Sequence, residues 1–355
     1  MVAPTLTEKT FTMLDPVTAR RLSRRSLLAG GAATLAALVA GCGGGDDAAT
    51  PTAAGSGGPW SFTDDRNEKV SADTRPTRVV AFTGTAAALV DFGLDKQIVG
   101  VFGETKRADG TVDPQAGDLD VESVEILGNV WGEFSIEKYA ALRPELLVTH
   151  MYDPGALWYV PDESKNKILP LASSVAITTA RVPMTKPIER YAQLAESLGA
   201  DLSAKKVTDA KARFEAAAQQ VRDAVKANPG IKVMASSGSP DLFYVSNPKV
   251  STDLMYFAEL GVDIVVPTKL ENGDYFEALS WENAGKFPAD LILLDNRSTA
   301  LQPKDLAARP TWAQLPAVKA NQVTPWDAVP RFSYAGAAPL LENLATAIRA
   351  AKKVS

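Results

Sequence analysis

The 355-residue chain contains one cysteine, Cys42, and one histidine, His150. A single cysteine cannot close a disulfide within the chain, so the fold must rest on its hydrophobic cores. The two counts also exclude a zinc site built from histidine and cysteine. With Cys42 committed to an anchor, as argued below, no cysteine–histidine catalytic pair is left. A Gly-x-Ser-x-Gly elbow is missing and no histidine base lies near a plausible nucleophile, so an extracellular enzyme would have to be a carboxylate-dependent hydrolase. Outside the arginines of residues 20–25, basic clusters are absent too: 37 basic residues face 42 acidic ones, for a net charge of −5, a poor match to nucleic acid. The apolar segment 27–41 is 15 residues long, too short to cross a bilayer core comfortably.

That short segment has a distinctive setting. Ser23-Arg24-Arg25-Ser26-Leu27-Leu28 opens it, and Val39-Ala40-Gly41-Cys42 closes it. Twin arginines before an apolar run read as an export signal. The small residues before Cys42 resemble a lipobox, in which the cysteine is lipidated and becomes the new N-terminus. The expected mature protein therefore begins at Cys42 and sits outside the cytoplasm, lipid-anchored to the cell membrane. Loss of residues 1–41 removes five basic and two acidic residues, taking the net charge from −5 to −8. Residues 42–58 carry no large apolar side chain until the domain begins, and they read as a flexible tether.

From Trp60 onward, short β-rich runs (78–82, 98–102, 145–152, 175–180, 231–235, 242–246, 262–266, 291–296) alternate with helical patterns (86–92, 135–142, 187–198, 252–260, 280–287). Such alternation predicts an α/β protein with mainly parallel sheets. Residues 201–227 differ: they lack glycine and proline and stop at Asn228-Pro229-Gly230, which predicts one long helix. The chain also repeats itself across that helix. Residues 135–148 align without gaps on 280–293, and 88–99 align more loosely on 257–265. Two related lobes, 59–200 and 229–355, joined by an interlobe helix at 201–228, are expected. A ligand cleft should lie between them, where post-strand loops converge.

The lipobox, Arg78-Val79-Val80-Ala81, residues 135–148, the 188–199 segment, the long helix and residues 280–295 together resemble a substrate-binding protein of an ABC importer, of the iron-siderophore/cobalamin class. The resemblance implies two lobes on a rigid helix, a bulky ligand captured between them, delivery to a membrane permease, and no catalysis. Relatives that bind bare metal use several histidines. This chain has one, so a chelate is expected: a ferric siderophore, with haem or cobalamin as alternatives, and no separate cofactor. The protein should act as a monomer.

Glu137 and Glu282 each follow a serine by two positions, at the start of a predicted helix. Helix capping alone would contribute ~0.3–1 kcal/mol there. The resemblance implies a second role, one glutamate per lobe pairing with permease arginines. Cleft candidates are large or charged residues just past strand ends. Trp131, Tyr152, Trp158, Tyr159 and Arg181 come from the first lobe, and Tyr244, Tyr275, Arg297, Trp326 and Tyr334 from the second. Arginine offers a planar fork of donors to chelate oxygens, and the aromatics offer rigid contact area. Arg297, with Tyr275 and Trp326 on its own side and Trp131 and Tyr152 opposite, is the expected centre of the site. His150, inside an apolar run, reads as a core or cleft-edge group. The acidic run 118–125 reads as a solvated loop, since it fits a calcium loop poorly.

Overall fold

The computed structural model describes residues 58–271, 273–297 and 299–355. The export signal, Cys42 and the tether up to residue 57 lie outside the described residues. The chain enters through an antiparallel hairpin, β1 (Trp60–Thr63) and β2 (Lys69–Ala72). The first sheet follows, from β3 (Val79–Phe82), β4 (Ile98–Phe102), β5 (Glu125–Ile126), β6 (Leu146–Met151) and β7 (Ser173–Thr178). Its order is β5-β4-β3-β6-β7, with every pairing parallel. All side chains of β3 and β6 are buried, as expected of central strands covered on both faces. The accompanying helices are α1 (Thr83–Asp91), α2 (Ile136–Ala141), α3 (Lys165–Ile168) and α4 (Thr185–Ser197).

Next comes α5 (Lys205–Ala227), 23 residues long and therefore about 34 Å from end to end. Val207, Phe214, Ala217, Ala218, Val221 and Ala224 form its buried stripe. Asn228 stops it, and the Asn228 amide donates to the carbonyls of Ile348 (2.9 Å) and Ala351 (2.7 Å).

The second sheet contains β8 (Lys232–Gly238), β9 (Leu242–Ser246), β10 (Asp263–Ile264), β11 (Phe276–Ser280), β12 (Leu291–Asp295) and β13 (Val323–Trp326). Helices α6 (Thr252–Glu259), α7 (Pro303–Leu306), α8 (Pro310–Gln314), α9 (Pro316–Lys319) and α10 (Tyr334–Ala350) complete the lobe. Strands β10, β8, β12 and β13 are parallel, whereas β9 and β11 pair antiparallel at the edge. The parallel order β10-β8-β12-β13 reproduces β4-β3-β6-β7 of the first sheet. The looser sequence repeat is thus α1–β4 against α6–β10, and the stricter one runs into β6 and β12. One predicted helix does not form. Ser280 is the last residue of β11, paired with Leu242, and only a 3₁₀ turn, Trp281–Asn283, follows. Gly285 and Pro288 leave no room for a longer helix.

A single core passes through both lobes. It takes in Val79, Val101 and Leu146 from the first sheet, Phe214 and Val221 from α5, and Val233 and Leu293 from the second sheet. Smaller cores sit on the far face of each sheet. Polar ties also cross between lobes. The segment after β7 is stitched to the start of α6: Arg181 N donates to Val250 O (2.9 Å), Met184 N to Thr252 O (3.0 Å), and the Thr252 hydroxyl to Thr179 O. Elsewhere Arg331 (3.4 Å) and the Ser333 hydroxyl both donate to Asp91 of α1. The Arg331 guanidinium lies where a side chain at Gly117 would begin. A Cβ there would come within 1.7 Å of its Nη1, and Gly117 has φ 52°.

Candidate functional site: an aromatic cleft between the sheets

A cavity of about 520 Å³ opens between the lobes. Its walls come from the carboxyl ends of strands, as open α/β sheets favour. Tyr152 and Asp153 follow β6, Thr179 follows β7, Asp295 and Arg297 close β12, and Trp326 ends β13. Six of the expected residues line it: Tyr152, Trp158, Tyr244, Tyr275, Arg297 and Trp326.

Other expected residues sit elsewhere. Trp131 is 64% exposed and lines no wall of the cavity; it packs edgewise on Trp158 (4.9 Å) and Tyr159 (5.0 Å) as an outer aromatic layer. Tyr159 is buried, and its hydroxyl donates to Glu104. Tyr334 opens α10 and packs on Phe92 and Phe214 in the interlobe core. Arg181 stands behind the cavity wall, its donors spent on the protein: Gly273 O (2.7 Å), Tyr152 O (3.0 Å), the Tyr275 hydroxyl (3.0 Å) and Asp153 (3.2 Å).

Arg297 lines the cavity, yet it is not a free fork. Its Nε and Nη2 donate to the carboxylate of Asp295, which is fully buried, at 2.6–3.1 Å. Burial works against the Arg297 charge, but that carboxylate outweighs it and holds the guanidinium protonated. Asp295 carried a readable signal, an acidic residue closing an apolar strand two positions before an arginine. Asp253 did not. It sits in the first turn of α6, and its carboxylate accepts from the Trp326 indole N–H at 2.6 Å. Burial pushes Asp253 up to about 6, against the pull of that indole and two backbone N–H groups. Just beyond the cavity, burial likewise raises Asp327 to about 7.

Among the described residues, two donors in the cavity walls have no protein partner: the buried Tyr152 hydroxyl and the buried Trp158 indole N–H. Such groups cost free energy unless something accepts from them, which marks them as donors for a ligand. His150 lies behind them, 2% exposed, against Phe82 (4.9 Å) and Tyr152 (5.1 Å). Burial lowers it to about 3, so it is neutral at ordinary pH. No cluster of three or more His, Cys, Asp or Glu side chains among the described residues is set to hold a metal ion.

Glu137 and Glu282 are both exposed and both follow a serine at the start of a helical turn. The Ser135 hydroxyl caps α2, accepting from Lys138 N at 3.3 Å. At Glu282 its own backbone N–H and the Ser280 hydroxyl hold the carboxyl below the usual range.

Comparison with known proteins agrees with this architecture. A comparison with curated proteins gives no significant match. Among solved structures, DesE, a ferric-siderophore receptor protein from Streptomyces coelicolor, is 53% identical, with 83% of this chain covering 100% of that one at a TM-score of 0.80. The petrobactin-binding protein YclQ (15% identity, 83% and 99% coverage, TM-score 0.62) and the triscatecholate siderophore-binding protein FeuA (16%, 81% and 97%, TM-score 0.60), both from Bacillus subtilis, share the fold. A family profile described as periplasmic binding protein matches residues 79–330. With two lobes, an interlobe helix and an aromatic cleft between them, the chain belongs to the periplasmic binding protein family, as a substrate-binding protein of the ABC-importer kind.

Proposed function

We propose that this protein is a lipid-anchored receptor that captures a ferric siderophore in the cleft and delivers it to an ABC import permease. The observation that carries this reading is the aromatic cavity of about 520 Å³, in a chain 53% identical to a ferric-siderophore receptor. A ferric chelate is a bulky body with an oxygen-rich centre. The ring faces supply contact area, and the unpartnered Tyr152 and Trp158 donors suit its oxygens. Export by the twin-arginine signal, lipidation at Cys42 and docking through Glu137 and Glu282 complete the scheme.

The lining charge bears on the chelate. Asp295 is paired with Arg297 and Asp153 with Arg181, which leaves Asp253 as the lining carboxylate without a basic partner and no lining cation free. A trianionic complex would enter a site of its own sign at reduced dielectric. A neutral or cationic complex, with three singly charged bidentate groups on Fe(III), is favoured. The test is quenching of tryptophan emission by a panel: a neutral ferric trihydroxamate, a trianionic ferric triscatecholate, haem and cobalamin. Tightest binding of the neutral siderophore is expected. Tightest binding of the trianion would overturn the charge argument, and binding of haem or cobalamin alone would overturn the ligand class.

A further inference from the structure

Behind the end wall of the cleft lies a second cavity, of about 550 Å³. Tyr152 and Asp153 border both spaces, Tyr275 faces the first, and Arg181 faces the second. The partition between them is a knot of side chains from the two lobes. The Tyr275 hydroxyl donates to Tyr152 O at 2.7 Å, while Arg181 bonds that carbonyl, the Tyr275 hydroxyl and Gly273 O. The guanidinium also lies over the Tyr275 ring, 5.1 Å from its centroid.

We propose that Arg181 and Tyr275 form a clasp that ends the ligand cavity and sets the upper size of the chelate it admits. This rests on the siderophore reading. The side chains can part without unravelling the loops that carry them, because separate bonds hold those loops. Arg181 N donates to Val250 O, Asn247 N donates to Tyr275 O (2.8 Å), and the Asn247 amide donates to Asp274 O (2.8 Å). The Arg181 side chain is 40% exposed and its salt bridge to Asp153 is open to solvent, so the clasp is a weak lock by itself. Opened, it joins two spaces of similar volume.

The test uses two ferric trihydroxamates of identical iron-binding groups, one compact and one carrying an appended peptide arm. Affinities are read by tryptophan quenching, and thermal unfolding checks that each variant is folded. Wild type should bind the compact chelate at least tenfold more tightly than the extended one. In Arg181→Ala that ratio should shrink at least tenfold, and Tyr275→Phe, which keeps the ring and loses only the hydroxyl, should shift it the same way by less. If the ratio is unchanged in both variants, or if wild type binds the two chelates equally, the clasp sets no size limit. Failure of wild type to bind either chelate would instead overturn the siderophore reading, and the clasp with it.

Discussion

Replacing Arg297 by alanine strips Asp295 of its partner inside the protein. Breaking a buried pair on one side costs about 3–5 kcal/mol, and since Arg297 is itself about a third exposed, the lower end applies. Urea unfolding should register that loss, and the double variant Arg297→Ala, Asp295→Asn should recover part of it; no recovery would mean the pair is not what holds the strand end. The residue therefore shapes the cleft as well as facing it, a duty that only the acidic residue two positions before it signals in the sequence. A pH effect belongs at the same scale. Asp253 and Asp327 are raised from an ordinary 3.8 to about 6 and about 7. Between those limits the folded state binds more protons than the unfolded one. Their contribution is thus complete below pH 3.8 and is lost as pH rises through 6–7, by up to about 1.4 kcal/mol per pH unit for each group. Asp327→Asn should gain stability over wild type at pH 8 and keep little of that gain at pH 4. Parallel stability–pH curves for the two proteins would contradict the assignment.

Elements of the first sheet are legible because β3 and β6 are buried on both faces and so read as unbroken apolar runs. The antiparallel ladder β9–β11 is less so. Phe276–Ser280 carries Glu277 at its second position, which reads as solvent-facing, yet Glu277 is buried. Burial penalises its charge, but Lys286 and the backbone N–H groups of Thr268 and Lys269 (2.8 Å each) more than compensate, holding the carboxyl at about 2. Glu277→Gln should destabilise the protein by about 2–3 kcal/mol at neutral pH. The carboxylate's contribution stands above pH 4.5 and fades towards pH 2, so the two proteins should converge in acid. Equal midpoints in urea at pH 7 would show the anchor to be dispensable. Helix α10 was hidden for another reason. Gly336 and Pro339 break its local propensity, and its 17 residues are held by packing along α5, with Arg213 clamping Glu342 through two 2.7 Å bonds. Tertiary contact decides it, which no local pattern records.

At the scale of the whole molecule, two faces carry the proposed traffic. Reversing Glu137 and Glu282 to lysine together should abolish uptake while leaving ligand affinity within about twofold, because like charges opposed across an interface cost several kcal/mol. Undiminished uptake would remove docking from their role, and a large loss of affinity would move them into the cleft's service. Cys42→Ser should release the protein from the membrane fraction or leave the precursor uncut, as fractionation and mass measurement would detect. The paired lobes were legible through the repeats at 135–148 and 280–293. The ties between lobes were not, because they join residues far apart in sequence, and one of them constrains how the protein can change over generations. Arg331 reaches from one lobe to Asp91 in the other through space that exists only because position 117 has no side chain. Mutations at 91, 117 and 331 are therefore not independent trials. Alanine at 117 should be rejected in any lineage that keeps arginine at 331; exchanging that arginine for something short removes the clash and leaves the backbone strain of φ 52° against it. In a broad set of descendants, arginine at 331 should occur only where 117 is glycine, while glycine at 117 can outlast the arginine.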